Sequence, residues 1–428
     1  MISPEDNDLL CRVEGDAPMG RIMRHHWIPA CLSEEVTEPD GPPLAVRLLG
    51  EDFVVFRDSA GRVGMLDALC PHRRAALVFG RNEECGLRCL YHGWKFDVAG
   101  NVVDMSSEPP GSRMRERLKH KAYPVHEAGG FVWVWLGPAA EQPEFLAPAW
   151  APVPGTKISI VKMQVRCNWA QVLEGAIDSA HSSSLHSTDM PSAPVDGAKA
   201  TGTAWPRPST DRSPRLEMQM RDWGFRYAAI RRPILDPERY DYLRITVFIA
   251  PFTVLIPPND RYNLAQVIIP MDDTHTMFHF IAWHETGGID EAEWRTFCAA
   301  VPSIDLGPDW LPVRAPTNRY LQDRAAMRAG SFTGIKGIPN QDMAMWESMG
   351  PIADRSRERL GSSDRAVAQF RRQMVAAARA VAQGAPVIGT GAGRIEPAAL
   401  RSFEGVVMKG TDWHLLGAVP TAARVLAP

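Results

Sequence analysis

The sequence lacks a marked excess of charge of either sign, a long apolar run and an even set of cysteines. Its 47 lysines and arginines nearly balance 50 acidic residues, and the formal charge of −3 makes a nucleic-acid partner unexpected. No apolar stretch is long enough to span a bilayer, and the run at 131–136 suits a buried strand better. Residues 1–10 show no basic segment followed by an apolar run, which a secretory signal requires. We therefore expect a cytoplasmic protein with neither a membrane nor a nucleic acid as partner.

The cysteines do not indicate a disulfide framework. Their number, seven, is odd, and they are scattered along a chain of 428 residues. Metal ligation is the more natural role for some of them, and the others are expected to be buried small apolar residues. The cysteines are Cys11, Cys31, Cys70, Cys85, Cys89, Cys167 and Cys298.

The first part of the chain, from about residue 25 to 140, has the pattern of a small antiparallel β domain. Short runs rich in β-branched and aromatic residues alternate with turn signals. The runs are residues 45–49, 53–56, 63–66 and 131–136, and the turns are residues 58–61 and 97–101. A proline-rich stretch at 138–154 follows and is typical of a linker. We predict an all-β first domain over residues 1–150.

The second part combines helical and alternating patterns, which predicts an α+β domain over residues 151–428. Residues 168–181 are expected to be helical, and residues 365–383 have apolar side chains at the spacing of an amphipathic helix. The alternating segments are residues 224–232, 240–250, 261–269 and 275–283. A mixed sheet flanked by helices fits this pattern.

Two short segments, residues 70–72 and 89–92, each offer one thiolate and one imidazole. Two Cys and two His fit either a zinc site or a Rieske [2Fe–2S] cluster. Zinc sites usually keep the two Cys together and the two His together, whereas here each Cys is paired with a His. Interleaved pairs favour the Rieske cluster, in which one iron binds both thiolates and the other both imidazoles. Zinc remains a minor alternative, and Cys85, which has no His partner, is interpreted as structural. The candidate cluster ligands are Cys70, His72, Cys89 and His92.

A second set of ligand types lies at the end of the predicted helix 168–181. His186 lies five residues beyond His181, an offset of about 140° on an ideal helix, so an unbroken helix would not bring both to one ion. The serines at 182–184 compete for backbone hydrogen bonds and favour a break there, which would let both imidazoles reach one metal. Two His with one carboxylate leave open positions on Fe(II) for oxygen and substrate.

The carboxylate ligand need not be near the histidines in sequence. The candidate is Asp342, and Glu347 is its rival. Asp178 is an alternative by proximity, because it lies three residues before His181 and shares a helix face with it. Taken alone, His181 and His186 are equally well explained as an ordinary helix-end pair. Together with the cluster motif they indicate redox iron chemistry.

These motifs resemble those of the Rieske non-haem iron aromatic-ring-hydroxylating oxygenases. Residues 70–72 with 89–94 resemble the cluster motif of that family, and residues 174–186 resemble its mononuclear-iron motif. Residues 3–7 and 351–364 are similar to the phthalate dioxygenase branch of the family.

The resemblance implies an all-β Rieske domain followed by a helix-grip catalytic domain, an antiparallel sheet with helices, with Asp342 completing the iron site. It also implies head-to-tail homotrimers, in which the cluster of one subunit serves the iron of its neighbour. Stacking of two trimers into a hexamer stays open. Asp178 would accept hydrogen bonds from His181 of its own chain and from His92 of the neighbour, which makes it a bridge for electron transfer.

The resemblance further implies that a flavin and iron–sulfur reductase supplies electrons, and that O₂ and an aromatic carboxylate meet at the iron. For phthalate, both oxygen atoms would enter the ring as a cis-dihydrodiol. Because phthalate is a dianion, its pocket should offer arginines, whose planar fork binds carboxylates through two hydrogen bonds. We expect this role for Arg207, which follows Trp205 in a loop, and for Arg244, on one face of an alternating strand. Ser179 would add a hydroxyl.

Other classes of function stay open on the sequence alone. A Rieske monooxygenase or demethylase that acts on another aromatic carboxylate would carry the same motifs, and isophthalate or a substituted benzoate would also suit an arginine pocket. A Rieske electron carrier with an inert second domain would lack the mononuclear iron. A zinc-stabilised binding module would lack iron altogether.

Overall fold

The computed structural model of the chain describes residues 2–109, 111–192, 206–259 and 261–417. These residues form two compact units. The N-terminal unit comprises residues 13–16 and 23–145, and the C-terminal unit comprises the other described residues. Within the described ranges, no helix has both the length and the apolar character needed to cross a membrane.

The described residues contain eight α-helices, and α8 is the amphipathic helix predicted at residues 365–383. Its apolar face is buried, and Gly384, with a φ of +83°, follows its last turn as expected of a helix-ending glycine. The helices are α1 (Pro4–Cys11), α2 (Pro18–Arg24), α3 (Met114–Arg117), α4 (Trp169–Ile177), α5 (Glu291–Phe297), α6 (Arg324–Arg328), α7 (Ile338–Ser348) and α8 (Arg365–Ala382).

The N-terminal unit consists of three small antiparallel sheets, as the alternating runs predict. Their strand orders are β1-β11-β10, β2-β3-β4-β9 and β5-β6-β7-β8. The strands are β1 (Trp27–Leu32), β2 (Leu44–Leu48), β3 (Glu51–Arg57), β4 (Val63–Asp67), β5 (Arg81–Glu83), β6 (Gly86–Arg88), β7 (Trp94–Phe96), β8 (Val102–Met105), β9 (Ala122–Tyr123), β10 (Val125–Ala128) and β11 (Phe131–Trp135). One core cluster of this unit includes Cys70 and Cys89 together with Trp94 and Phe96. The candidate cluster ligands therefore lie on a packed scaffold.

The C-terminal unit is built on one large antiparallel sheet with the order β12-β18-β17-β16-β15-β14-β13, and β19 pairs with β15. Its strands are β12 (Lys157–Val165), β13 (Arg215–Arg221), β14 (Gly224–Arg231), β15 (Tyr240–Ile249), β16 (Thr253–Ile256), β17 (Asn263–Pro270), β18 (Thr276–His284) and β19 (Phe403–Met408). Four of them lie where the alternating segments predict strands. The α+β class and the antiparallel sheet implied by the resemblance are confirmed, because every paired strand runs opposite to its neighbour; the mixed sheet that the alternating pattern suggested is wrong.

Helix α4 packs on β16, β17 and β18 and contacts α7 and α8 on its other sides. The approach to α7 requires glycine, because a Cβ atom at Gly175 would lie 2.2 Å from Nε1 of Trp346. Helix α4 thereby brings the chain segment that follows it next to α7. These two segments carry the candidate ligands of the second metal site.

Helix α1 lies in the C-terminal unit, although the predicted first domain extends from residue 1 to 150. The side chain of Asn7 donates to the carbonyl of Ala353 at 3.0 Å and accepts from the guanidinium of Arg355 at 2.9 Å. Arg355 is fully buried, and its Nε lies 2.8 Å from the carboxylate of Glu174. This network ties α1 to α4 and accounts for the position of the N-terminal segment.

Candidate metal centres

The two segments that begin at Cys70 and Cys89 fold into turns with the same hydrogen bonds. In each, the Cys carbonyl accepts from the amide four residues later, at 2.9 and 3.0 Å, and the Cys amide donates to the carbonyl five residues later, at 2.9 and 2.8 Å. The fourth residue after each Cys has a positive φ, +61° at Arg74 and +74° at Gly93. A Cβ atom at Gly93 would lie 2.2 Å from Oγ of Ser106, so the second turn requires glycine. Two equivalent turns present one thiol and one imidazole each.

The four side chains on these turns fit a metal centre. The thiols of Cys70 and Cys89 are buried, and the rings of His72 and His92 lie 4.4 Å apart. Nδ1 of both imidazoles is buried and has no hydrogen-bond partner among the described residues. A buried nitrogen without a partner is costly unless it binds something, and here two such nitrogens lie beside two thiols. Two nitrogens and two sulfurs are the donor set of a Rieske [2Fe–2S] cluster.

The indole of Trp94 holds one of these imidazoles in place. Its ring stacks on His72 with a centroid distance of 4.4 Å and an interplanar angle of 10°. Its Nε1 donates to Oγ of Ser107 at 3.0 Å, which fixes the indole in turn. Cys85 lies apart from this arrangement, and its amide donates to Oγ of Ser59 at 2.8 Å, in line with a structural residue.

The second candidate site begins where α4 ends. The helix stops at Ile177, because Asp178 adopts an extended conformation and its Oδ1 accepts from the amide of Ala180 at 2.7 Å. His181 then starts a short 3₁₀ turn. This first break precedes both histidines. Between His181 and His186 the helical conformation ends at Ser184, with a φ of −121° and a ψ of −66°, so the break that separates them lies at the serines 182–184, where the sequence pattern places it.

The side chains of His181, His186 and Asp342 converge on one point. Nε2 of His186 lies 3.1 Å from Nε2 of His181 and 3.1 Å from Oδ1 of Asp342, and Nε2 of His181 lies 3.6 Å from the same oxygen. Nδ1 of His181 faces Asp178 at 3.4 Å, and Nδ1 of His186 faces Gln341 at 2.8 Å. With both ring protons on the Nδ1 side, three electron-pair donors face one another, which is unfavourable without a cation. Two imidazoles and one carboxylate fit Fe(II) with open positions.

The rival carboxylates are placed elsewhere. Asp178 faces Nδ1 of His181 and not the Nε2 atoms that converge with Asp342. Glu347 accepts from the amide of Arg166 at 2.8 Å and from the hydroxyl of Tyr320 at 2.7 Å. Among the described residues, the group of potential ligands at this point consists of His181, His186 and Asp342.

A pocket opens beside these three residues and contains two of the predicted substrate-binding side chains. Ser179 and Arg244 both line it, and Thr246, two residues further along β15, lies on the same wall. Arg207 is not among the lining residues, but its guanidinium lies 3.0 Å from Sδ of Met190, which lines the pocket. Trp205, expected to start the loop of Arg207, lies outside the described residues.

Three buried arginines give the pocket region an excess of positive charge: Arg244 lines the pocket, and Arg207 and Arg231 contact residues that line it. Arg207, Arg231 and Arg244 are each at most 5% exposed, and Arg244 has the carboxylate of Glu404 at 3.4 Å. Within the described ranges, neither Arg207 nor Arg231 has a carboxylate within 4.0 Å. Burial, together with repulsion from Arg244, lowers the pKa of Arg207 to about 9 and that of Arg231 to about 10. A bound anion would relieve this uncompensated charge.

Arg231 is the residue that reasoning from the sequence missed. Its guanidinium donates to the carbonyl of Ser179 at 2.8 Å and lies 3.4 Å from the hydroxyl of the same residue. Its strand neighbour is Tyr242, on the face of β15 that also carries Arg244. The position of Arg231 beside the pocket can be inferred from the sequence only once β14 and β15 are paired in the correct register. The alternation of apolar residues alone does not give that register.

The comparisons with known proteins agree with the two units. Residues 26–124 match the model of the Rieske [2Fe-2S] domain, and residues 134–427 match the model described as LigXa C-terminal domain like. The first model fits the turns at Cys70 and Cys89, and the second covers the iron-site candidates. A cluster-bearing β domain and a catalytic domain of this kind define the class of Rieske-type oxygenase components.

Relatives with assigned activities belong to the same class. The chain is 58% identical over 415 residues to the phthalate 4,5-dioxygenase oxygenase subunit of Pseudomonas putida. The aligned residues cover 97% of this chain and 94% of the relative. It is 36% identical over 400 residues to the 3-chlorobenzoate-3,4-dioxygenase oxygenase subunit of Comamonas testosteroni, with 89% of each chain covered. The crystal structure of dicamba monooxygenase bound to dicamba has the same fold, with a TM-score of 0.59, 19% identity, and coverage of 84% of this chain and 98% of the other.

The chain therefore belongs to the Rieske non-haem iron oxygenases, as the resemblance in its motifs predicts, and is the oxygenase component of such a system. It is an oxidoreductase that uses O₂ and carries a Rieske [2Fe–2S] cluster and a mononuclear iron. As an oxygenase component it depends on a separate reductase for electrons.

Proposed function

We propose that this chain is the oxygenase component of a phthalate 4,5-dioxygenase, which converts phthalate and O₂, with two electrons from a reductase and two protons, into a cis-dihydrodiol. The observation that carries the proposal is the set of buried arginines beside the iron-site residues. Arg207 and Arg231 lack a carboxylate partner among the described residues, and Arg244 lines the pocket. A ligand with two carboxylates offers the charge that this pocket needs. The 58% identity to a phthalate 4,5-dioxygenase oxygenase subunit supports the same substrate.

In this proposal Arg207 and Arg244 bind the two carboxylates of phthalate, and the hydroxyl of Ser179 donates a further hydrogen bond. Arg231 does not need to touch the substrate, since its hydrogen bonds to Ser179 orient that residue. Binding through fixed guanidinium groups presents one edge of the ring toward His181, His186 and Asp342. Orientation of this kind restricts the reaction to one pair of ring carbons.

The two iron centres have proposed ligands on each unit. Cys70, His72, Cys89 and His92 would hold the [2Fe–2S] cluster, and His181, His186 and Asp342 would hold the mononuclear Fe(II). When bound, the two centres supply electron storage and activation of O₂, chemistry that side chains alone do not provide. The chain's own contribution is to position the substrate and to fix the protonation and orientation of the ligands.

We also propose that the chain forms head-to-tail homotrimers, in which Asp178 accepts hydrogen bonds from His181 and from His92 of a neighbouring copy. Exposed apolar side chains beside each centre support this assembly. Leu90 and Tyr91 are 61% and 55% exposed next to the cluster turns. Phe332 and Met349, 52% and 51% exposed, line a groove that also contains Asp178. Sedimentation that gives a monomer under assay conditions would contradict the trimer; two stacked trimers would sediment as a hexamer.

The electron donor in this proposal is a reductase that carries a flavin and an iron–sulfur cluster. We place the system in the cytoplasm, where thiols stay reduced. All seven cysteines are free in the structure, and Cys70 and Cys89 would need to remain so until the cluster is inserted.

The decisive experiment supplies the purified protein with such a reductase, phthalate and labelled O₂. We expect a cis-4,5-dihydrodiol with both oxygen atoms from the same O₂ molecule, and oxygen uptake that matches product formation. A product with a single labelled atom would show the monooxygenase alternative. Oxidation of 3-chlorobenzoate in preference to phthalate would contradict the assigned substrate while leaving the oxygenase class intact.

A further inference from the structure

Gln341 lies one residue before Asp342 on α7 and is 2% exposed. Its side-chain amide has three polar neighbours, all at hydrogen-bond distance. Oε1 lies 2.8 Å from Nδ1 of His186, and Nε2 lies 2.9 Å from Oδ2 of Asp189 and 2.9 Å from the carbonyl oxygen of Ile335. The amide therefore uses every one of its hydrogens and an oxygen lone pair.

Only one orientation of this amide satisfies its neighbours. The carbonyl of Ile335 can only accept a hydrogen bond, so the nitrogen of Gln341 must be on that side. The carboxylate of Asp189 accepts the second hydrogen of the same nitrogen. The oxygen of the amide must then face His186, and an amide oxygen can only accept. Nδ1 of His186 consequently carries the proton.

The protonation of His186 determines what its other nitrogen can do. A neutral imidazole with its proton on Nδ1 has a lone pair on Nε2, the atom that points at Asp342 and at Nε2 of His181. The same amide also joins two chain segments, since Asp189 belongs to the turn that starts at His186 and closes with an amide-to-carbonyl bond of 3.0 Å. Gln341 thus ties the turn of one proposed ligand to the helix of another.

We propose that Gln341 is a positioning residue for the mononuclear iron, which holds His186 in the tautomer and orientation that binds the metal. The proposal rests on the iron site described under the proposed function. It assigns the two histidines different supports: the carboxylate of Asp178 for His181 and the neutral amide of Gln341 for His186. Supports of this kind typically change metal affinity by roughly 10- to 100-fold when they are removed.

Two substitutions separate the acceptor function of the amide, toward His186, from its donor function, toward Asp189 and Ile335. Gln341→Met removes every hydrogen bond while keeping the size of the side chain. Gln341→Glu keeps an oxygen that accepts from Nδ1 of His186. Its other oxygen replaces the two donors and faces the acceptors of Asp189 and Ile335, so the carboxyl must bind a proton and can donate to only one of them. The matched control is Gln171→Met, because Gln171 is 1% exposed and makes three comparable hydrogen bonds, to Trp346, Gly350 and Ala353, none of which involves a ligand.

The readout is the affinity for mononuclear ferrous iron, measured by chelator competition and by the electron paramagnetic resonance signal of its nitric-oxide adduct, with the absorbance of the cluster as internal reference. We expect Gln341→Met to weaken iron binding by roughly 10-fold or more at unchanged cluster content. Gln341→Glu should retain iron close to the level of the unsubstituted protein, and Gln171→Met should as well.

Three outcomes would overturn the proposal. The same iron affinity in Gln341→Met and Gln171→Met would reduce Gln341 to an ordinary buried amide. Equal iron loss in Gln341→Glu and Gln341→Met would show that the donors to Asp189 and Ile335 matter and the acceptor for His186 does not. An unsubstituted protein with a full cluster and no mononuclear iron signal would refute the iron site and this proposal together, whereas failure to oxidise phthalate would leave it standing.

Discussion

Oδ2 of Asp178 lies 3.4 Å from Nδ1 of His181, on the opposite side of the imidazole from the Nε2 that faces Asp342. Asp178 therefore contacts a proposed ligand without being one. Burial opposes ionisation of this carboxyl, but hydrogen bonds from the His181 side chain and from the amide of Ala180 outweigh burial and hold the pKa of Asp178 below its ordinary value. A carboxylate in this position fixes the ring proton of its histidine and strengthens the ring as a ligand.

The first prediction concerns this carboxylate. Asp178→Asn keeps the shape of the side chain but removes the charge that supports His181 and that would accept from His92 of a neighbouring copy. We expect phthalate turnover to fall on the order of 100-fold, with cluster and mononuclear iron contents retained. Single-turnover reoxidation of the reduced cluster would measure the effect directly.

Asp211→Asn is the control for charge alone, since Asp211 pairs with the exposed Arg232 and touches neither centre. Its turnover should stay close to that of the unsubstituted protein. Normal reoxidation of the cluster in Asp178→Asn would eliminate the bridging role, and loss of iron from that variant would point to a role in binding the metal.

The second prediction concerns the arginines. Arg207→Gln and Arg244→Gln each remove one charge-assisted contact to a carboxylate, worth about 1.5–3 kcal/mol. We expect the KM for phthalate to rise by roughly 10- to 100-fold in each. The KM for a monoanionic benzoate should rise in one variant only, because it has a single carboxylate to bind.

Arg232→Gln is the matched control, because Arg232 is exposed, follows Arg231 directly and pairs with Asp211. Its KM for phthalate should not change. An unchanged KM in both Arg207→Gln and Arg244→Gln would remove the observation on which the phthalate proposal rests.

The sequence predicted the elements that depend on local pattern. Strands β14, β15, β17 and β18 and helix α8 lie within a few residues of their predicted bounds, since each has a clear apolar period. The cluster turns were predictable because all four candidate ligands lie within 23 residues of one another in the chain.

Contacts between distant segments were not predictable in the same way. The side chain of Gln341 meets His186 across 155 residues, and Arg231 meets Ser179 across 52. Neither residue belongs to a recognisable local motif, and their roles appear only once α7 and β14 are folded beside the segment after α4. The sequence offered Asp342 as the candidate carboxylate but left Glu347 and Asp178 open; the family resemblance selected Asp342, and geometry separates it from Glu347.

The third prediction separates the two iron centres. The candidate ligands of each centre lie within one compact unit, with the cluster turns in the N-terminal unit and the mononuclear site in the C-terminal unit. His186→Ala should lose the iron that is not part of the cluster and keep the resonance spectrum of the reduced cluster. Cys89→Ala should lose sulfide and that spectrum. Iron and sulfide analysis of both purified variants would measure this, and loss of both centres in His186→Ala would contradict independent sites.

The last prediction concerns acid stability and rests on His279 in β18. Its side chain is 2% exposed, lies opposite Lys162 of β12 and has its Nδ1 3.2 Å from the carbonyl of Val267 in β17. Burial, with a further contribution from the charge of Lys162, lowers its pKa from 6.5 to about 3. The folded protein therefore keeps this imidazole neutral at pH values where the unfolded chain binds a proton.

The sign of the effect follows from this difference in proton binding. Above pH 6.5 neither state binds the proton, and His279 does not reduce the stability. As the pH falls from 6.5 to about 3, only the unfolded chain binds the proton, so the free energy of unfolding decreases by about 1.4 kcal/mol per pH unit. His279→Gln, which does not titrate, should remove this part of the slope, so its melting temperature should fall less between pH 7.5 and 5.5 than that of the unsubstituted protein. Equal slopes in the two proteins would show that His279 does not set the acid sensitivity of the C-terminal unit.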